Sequence, residues 1–99
     1  MTGKRTSDSH LRAAKDLTVT NKLGIHARPA ALFVKTASRF AAEIVVEKDG
    51  EMVNGKSIMG MMMLAAGPGC RIRVQATGPD AYQALSDLEG LVKRKFDEE

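Results

Sequence analysis

Residues 70–77 read Cys70-Arg71-Ile72-Arg73-Val74-Gln75-Ala76-Thr77, and the fold class follows from their alternation. Cys70, Ile72, Val74 and Ala76 point one way; Arg71, Arg73, Gln75 and Thr77 point the other. Alternation with period two is the mark of a half-buried strand. A strand with one dry face and one wet face belongs to an antiparallel sheet covered on a single side. The covering layer must then come from the amphipathic segments around it.

Working outward, Leu17-Thr18-Val19-Thr20 alternates in the same way and reads as the first strand. Glu43 to Lys48 is a second strand. Asp49-Gly50 is a two-residue hairpin signal, so Glu51-Met52-Val53 reads as a short edge strand. Three helices are expected between and after these. The first runs from Ala27 to about Phe40, with Ala30, Phe33, Val34, Ala37, Phe40 and Ala41 inward at the helical period. Its outer stripe holds Arg28, Ala31, Lys35 and Arg39. The second starts after Ser57, a good N-cap residue, and runs from Ile58 to about Ala66, where Gly67-Pro68-Gly69 stops it. The third runs from Ala81 to Phe96, with Ala81, Leu85, Leu88, Val92 and Phe96 inward. Asp97-Glu98-Glu99 is expected to be a solvated end. The order strand, helix, strand, strand, helix, strand, helix predicts an α+β fold. It is an open-faced β-sandwich, a four-stranded antiparallel sheet covered on one face by three helices.

The chain has 99 residues, enough for one domain with a modest core. Residues 1–16 are polar and are expected to form a flexible N-terminal extension, with a short helical piece at Leu11 to Lys15; residues 17–99 form the domain. His10 falls in that extension and is read as solvated. The formal net charge is +3, but the first sixteen residues hold +2 of it, so the body is near neutral. Four aromatics leave little for base stacking. Nucleic-acid binding is therefore not expected. No apolar run approaches a membrane span. A single cysteine, Cys70, excludes an internal disulfide and a cysteine-rich metal site, and points to a reducing cytoplasm. No cofactor and no metal are implied.

Chemistry concentrates at Gly24-Ile25-His26-Ala27-Arg28-Pro29-Ala30. Pro29 fixes a helix start, which sets His26 at the helix mouth. The first turn of a helix offers unpaired N–H groups and the positive end of the macrodipole, a suitable place for a phosphate. Neutral imidazole is a nucleophile near pH 7. The planar fork of Arg28 fits phosphate oxygens. The set reads as a histidine that accepts a phosphoryl group and hands it on.

A second stretch, Gly50-Glu51-Met52-Val53-Asn54-Gly55-Lys56-Ser57, formally fits the nucleotide-binding pattern G-x-x-x-x-G-K-[ST]. A phosphate loop of that kind follows a buried parallel strand and precedes a long helix. Here its first glycine belongs to a hairpin, and the intervening residues form an edge strand, so the context argues against it. Ser57 caps a helix, and a phosphate on it would add negative charge able to repel an acidic partner. Met59, Met61, Met62 and Met63 cannot all face inward from one short helix. Some must be exposed as a soft docking patch beside Ser57.

These two motifs, Gly24–Ala30 and Asn54-Gly55-Lys56-Ser57-Ile58-Met59-Gly60, stand in an order and spacing that resemble the HPr family. These are the histidine-containing phosphocarriers of the bacterial phosphoenolpyruvate-dependent phosphotransferase system. The resemblance spans residue 17 to about residue 96. It implies the sandwich fold inferred above and a carrier rather than an enzyme, acting as a cytoplasmic monomer. It implies His26 as phosphoacceptor through Nδ1, with Arg28 stabilising the phosphate. Enzyme I would be the donor and a IIA domain of a sugar permease the acceptor. Ser57 matches the family's regulatory serine, the substrate of HPr kinase/phosphorylase; Ile58, Met59, Met62 and Lys35 match docking positions. The long leader, the methionine run and the Gly-Pro-Gly loop depart from the usual pattern. They leave a second reading open, a mainly regulatory paralogue that binds a transcriptional regulator in carbon or nitrogen control.

Overall fold

The computed structural model describes residues 11–98. His10 and Glu99 lie outside the described residues. Four strands and three helices follow in the order β1 (Arg12–Thr18), α1 (Ala27–Ala37), β2 (Glu43–Lys48), β3 (Glu51–Asn54), α2 (Ile58–Met63), β4 (Arg71–Thr77) and α3 (Ala81–Lys93). The sheet order is β1-β4-β2-β3, with every neighbouring pair antiparallel. β4 is central, and its register runs from Arg12 opposite Thr77 to Thr18 opposite Arg71 on one side. On the other side Val46 faces Val74.

The alternation of β4 is realised: Ile72, Val74 and Ala76 are buried, Arg71 and Arg73 are exposed. The dry face joins Ile44 and Val46 of β2 with Ala30, Phe33 and Ala37 of α1 and the whole expected stripe of α3, Ala81, Leu85, Leu88, Val92 and Phe96. Each fully buried Leu, Val or Phe side chain contributes about 1.5–3 kcal/mol relative to exposure. The wet face is polar. There Arg73 of β4 meets its register partner Asp16 of β1 at 3.2 Å, a pair worth little because both groups are half exposed. The hairpin is as expected, with Asp49 and Gly50 at φ 53° and 85°, the positive values that a twisted two-residue turn needs.

Four boundaries differ from expectation by three residues or more. β1 begins at Arg12, so residues 12–16 belong to the sheet rather than to a flexible extension, and no helical piece covers Leu11 to Lys15. Lys15 hid this strand. It shares the parity of Ala13 and Leu17, and its ammonium reaches Glu89 of α3 at 3.1 Å, its stem running along the helix side of the sheet. α1 ends at Ala37 because the next turns tighten into i→i+3 bonds, Arg39 to Thr36 and Phe40 to Ala37. The amides of Ala41 and Ala42 then leave the helix for Asp80 Oδ2 and Oδ1, at 2.9 and 2.8 Å. Ala42, not Ala41, is consequently the buried residue. α2 stops at Met63 because Ala65 takes a left-handed conformation, φ 52°, just beyond the C-cap Leu64. α3 stops at Lys93, and Lys95–Asp97 form a separate turn.

Candidate phosphoryl-transfer site

The segment before α1 is pinned to the loop between α2 and β4. Val19 donates to Cys70 O at 2.9 Å and accepts from Gly69 N at 2.7 Å, and Ile25 N donates to Ala66 O at 2.8 Å. Gly24 makes this approach possible. Its φ is +69°, and a Cβ there would overlap the Ala66 carbonyl oxygen and stand 2.7 Å from Gly67 Cα. Within the loop the buried Asn21 closes a turn: Nδ2 donates to Gly24 O at 2.7 Å, and Gly24 N donates back to Asn21 O at 3.1 Å.

His26 emerges from this loop as the N-cap of α1, with an extended backbone (φ −95°, ψ −163°). Its carbonyl accepts from Ala30 N at 2.9 Å. Its side chain makes no capping bond, and no acidic residue stands in the first turn. Pro29 has no N–H to satisfy, so Ala27 and Arg28 carry the free amides of the helix mouth. Arg28 is exposed and, among the described residues, enters no ion pair. A histidine at an uncapped helix mouth, with free first-turn amides and an exposed arginine two residues on, is an arrangement that can take a tetrahedral anion beside a nitrogen nucleophile.

One neighbour of His26 overturns an expectation. Glu98 is not solvated: Oε2 lies 3.1 Å from His26 Nε2, and Oε1 accepts from Asn21 Nδ2 at 3.0 Å. Asn21 was legible as a turn former from its spacing to Gly24. Glu98, 72 positions along the chain from His26, carried no local signal.

Further along α1, Lys35 is exposed, and Arg39 is partly engaged by Asp87 at 3.5 Å. Ser57 caps α2 as expected, Oγ accepting from Gly60 N at 3.0 Å. It begins the helix whose far end leads to Ala66, the residue whose carbonyl accepts from Ile25 N in the loop that holds His26. Met61 is buried, whereas Ile58, Met59, Met62 and Met63 are exposed. Leu23, three residues before His26, is also exposed. The lysine of the apparent nucleotide motif is structural: Lys56 Nζ donates to Phe40 O at 2.7 Å, closing the turn after α1. Cys70 is half-buried. Among the described residues no cluster of His, Cys, Asp or Glu could hold a metal ion, and no helix is long and apolar enough to cross a membrane.

The comparisons with known proteins agree with this geometry. The family described as "PTS HPr component phosphorylation site" matches residues 13–94. The chain is 49% identical over 85 residues to phosphocarrier protein HPr of Treponema pallidum (strain Nichols), covering 86% of this chain and 97% of that protein. It is 47% identical over 81 residues to the HPr-like protein Crh of Halalkalibacterium halodurans, covering 82% of this chain and 96% of that one. The crystal structure of HPr from Thermoanaerobacter tengcongensis superposes with a TM-score of 0.85 at 47% identity, covering 88% of this chain and 98% of that chain. With the open-faced sandwich and the histidine at its helix mouth, these similarities establish that the chain belongs to the HPr family of the phosphotransferase system.

Proposed function

We propose that this protein carries a phosphoryl group on His26 Nδ1, taking it from phosphoenolpyruvate-charged enzyme I and passing it to the IIA domain of a sugar permease. The observation that carries the reading is the uncapped mouth of α1, with His26 at its N-cap position and no side-chain capping bond. The Arg28 guanidinium and the first-turn amides would bear the charge of the moving group. The rate would come from positioning and charge stabilisation, since an in-line phosphoryl transfer asks little covalent chemistry of the protein. The protein would act as a monomeric cytoplasmic carrier, not as an enzyme. Ile58, Met59 and Met62 would form the apolar part of the docking surface and Lys35 a basic contact. Ser57 would be the regulatory serine, where a phosphate from HPr kinase/phosphorylase would repel an acidic partner. Incubation with enzyme I and labelled phosphoenolpyruvate tests the core claim: the wild type gains one acid-labile phosphate, and His26→Ala gains none. An acid-labile phosphate on the variant would end the assignment.

A second reading has the similarity to Crh in its favour. In it the protein is mainly a regulatory module that binds a transcriptional regulator according to the state of Ser57. The complete Gly24–Ala30 motif argues for the carrier. A pull-down that requires phospho-Ser57 and is indifferent to His26→Ala would favour regulation.

A further inference from the structure

The C-terminal turn does something that neither the strands nor the helices require. After α3, Lys95, Phe96 and Asp97 take φ values of 57°, 57° and 59° in succession. Left-handed backbone is costly for residues with a side chain and is rarely repeated. Phe96, almost wholly buried, anchors the turn, and Arg94 Nε to Asp97 Oδ1 at 2.9 Å braces it. The reversal delivers Glu98 to the loop before α1. There both carboxylate oxygens are engaged, Oε1 by Asn21 Nδ2 and Oε2 by His26 Nε2. The Asn21 amide orientation is fixed, because its two partners, Gly24 O and the carboxylate, are both acceptors. The imidazole keeps more than a third of its side-chain surface open, whereas Glu98 keeps only 20%.

We infer that Glu98 is a positioning residue for the phosphoryl acceptor: its carboxylate holds the Nε2–H tautomer of His26 and so presents the ring's lone pair at Nδ1. The inference rests on the carrier reading and deepens it. An ionised carboxylate accepts and cannot donate, so a neutral His26 bonded to it carries its proton on Nε2. A partner on one ring nitrogen fixes the role of the other. In the transfer, the Nδ1 lone pair forms the N–P bond while the bond from phosphorus to the donor breaks, its electron pair leaving with the donor. Nε2 keeps its proton. The ring gains positive charge, and the Glu98 carboxylate faces it. On the return step the N–P bond breaks, the pair goes back to Nδ1, and the acceptor's nucleophile takes the phosphorus. No proton leaves the ring in either direction.

Glu98→Gln separates this role from a simple tether. Asn21 Nδ2 needs an acceptor, so the amide oxygen of the glutamine turns to it and the NH2 group turns to His26. That arrangement asks Nε2 to accept and moves the proton to Nδ1, the attacking atom. Glu98→Ala removes the preference without reversing it. The test is nitrogen-15 NMR of the His26 ring in the full chain at pH 8, with kcat and KM for phosphorylation by enzyme I. The expected wild-type spectrum has Nε2–H; Glu98→Ala mixes the tautomers, and Glu98→Gln favours Nδ1–H. Phosphorylation slows in the order wild type, Ala, Gln, in kcat and not in KM, by at least about ten-fold for Gln. A tether predicts the reverse order, with Gln milder than Ala. An unchanged tautomer in both variants, or equal loss of rate tracking loss of stability, overturns the inference. The NMR arm reads the unphosphorylated protein. If the wild type takes no label from enzyme I, the carrier reading falls, while the tautomer result still decides the role of Glu98.

Discussion

The mouths of α1 and α2 are treated in opposite ways. α2 opens on Ser57, whose hydroxyl turns back to Gly60 N and closes the end of the helix. α1 opens on His26, whose ring turns away to Glu98 and leaves the first-turn amides to whatever approaches. A capped end is finished and adds stability; an open end gives up that stability and keeps its field for a passing anion. The third helix shows a further use. Asp80 stands at the start of α3 but caps nothing there; its carboxylate gathers the amides of Ala41 and Ala42. One position type therefore leaves one helix end open, closes a second and staples a third element, and the destination of the side chain decides which.

The sharpest way to break this contrast is at Arg28. Arg28→Ala is expected to slow phosphorylation of His26 about 100-fold, or about 2.7 kcal/mol of transition-state stabilisation, with the denaturation midpoint nearly unchanged, as single-turnover labelling and urea melts would read. An equal rate would mean that the open mouth alone suffices. Ser57→Ala is expected to do the opposite, costing about 1 kcal/mol of stability through the lost cap and leaving the rate at His26 intact. A variant that melts like the wild type would show that the hydroxyl cap adds nothing.

Smaller effects sharpen the picture of how α2 is bounded. Ala65 holds a left-handed φ without the freedom of glycine. Ala65→Gly should therefore raise stability, by up to about 1 kcal/mol in calorimetry, since αL costs an L residue roughly that much. A loss of stability would mean that its methyl group matters more than its backbone. At α3, the amide of Ala41 first, with that of Ala42, holds the Asp80 carboxyl below its usual range; partial burial opposes this, and Lys56 adds attraction. A depressed native value contributes stability that is present above the unfolded-state value and is lost as pH falls through the native one. Asp80→Asn should thus be the less stable protein at neutral pH and show a shallower decline below about pH 4. Parallel acid limbs for the two proteins would contradict the staple.

The sheet and its covering layer were readable because period two and period 3.6 separate cleanly in residues 70–77 and in the α3 stripe. The first half of β1 is hidden from the sequence because Lys15, on the helix side, breaks the apolar alternation; its partner Glu89 lies 74 positions away. The end of α1 is hidden from the sequence for the same kind of reason, since Asp80, from another element, takes the amides that would continue it. The places of His26, Arg28 and Ser57 at two helix starts were legible from local motifs, because helix mouths are short-range features.

By itself the sequence determined which residues can do chemistry: a nucleophilic ring and a guanidinium two positions apart at a proline-marked helix start, and a hydroxyl at a second start. It also determined the alternating faces that force a one-sided sheet, since side-chain parity along a strand is local and admits no second solution. What each group faces depends on contacts between distant elements. The left-handed turn at Lys95–Asp97 brings Glu98 to His26, and Asn21 holds the other oxygen. Lys56, set in an apparent nucleotide motif, is spent on Phe40 O. Such contacts join residues far apart in the chain, and the free energy that selects them comes from burial of Phe96 and the shared core rather than from any local preference.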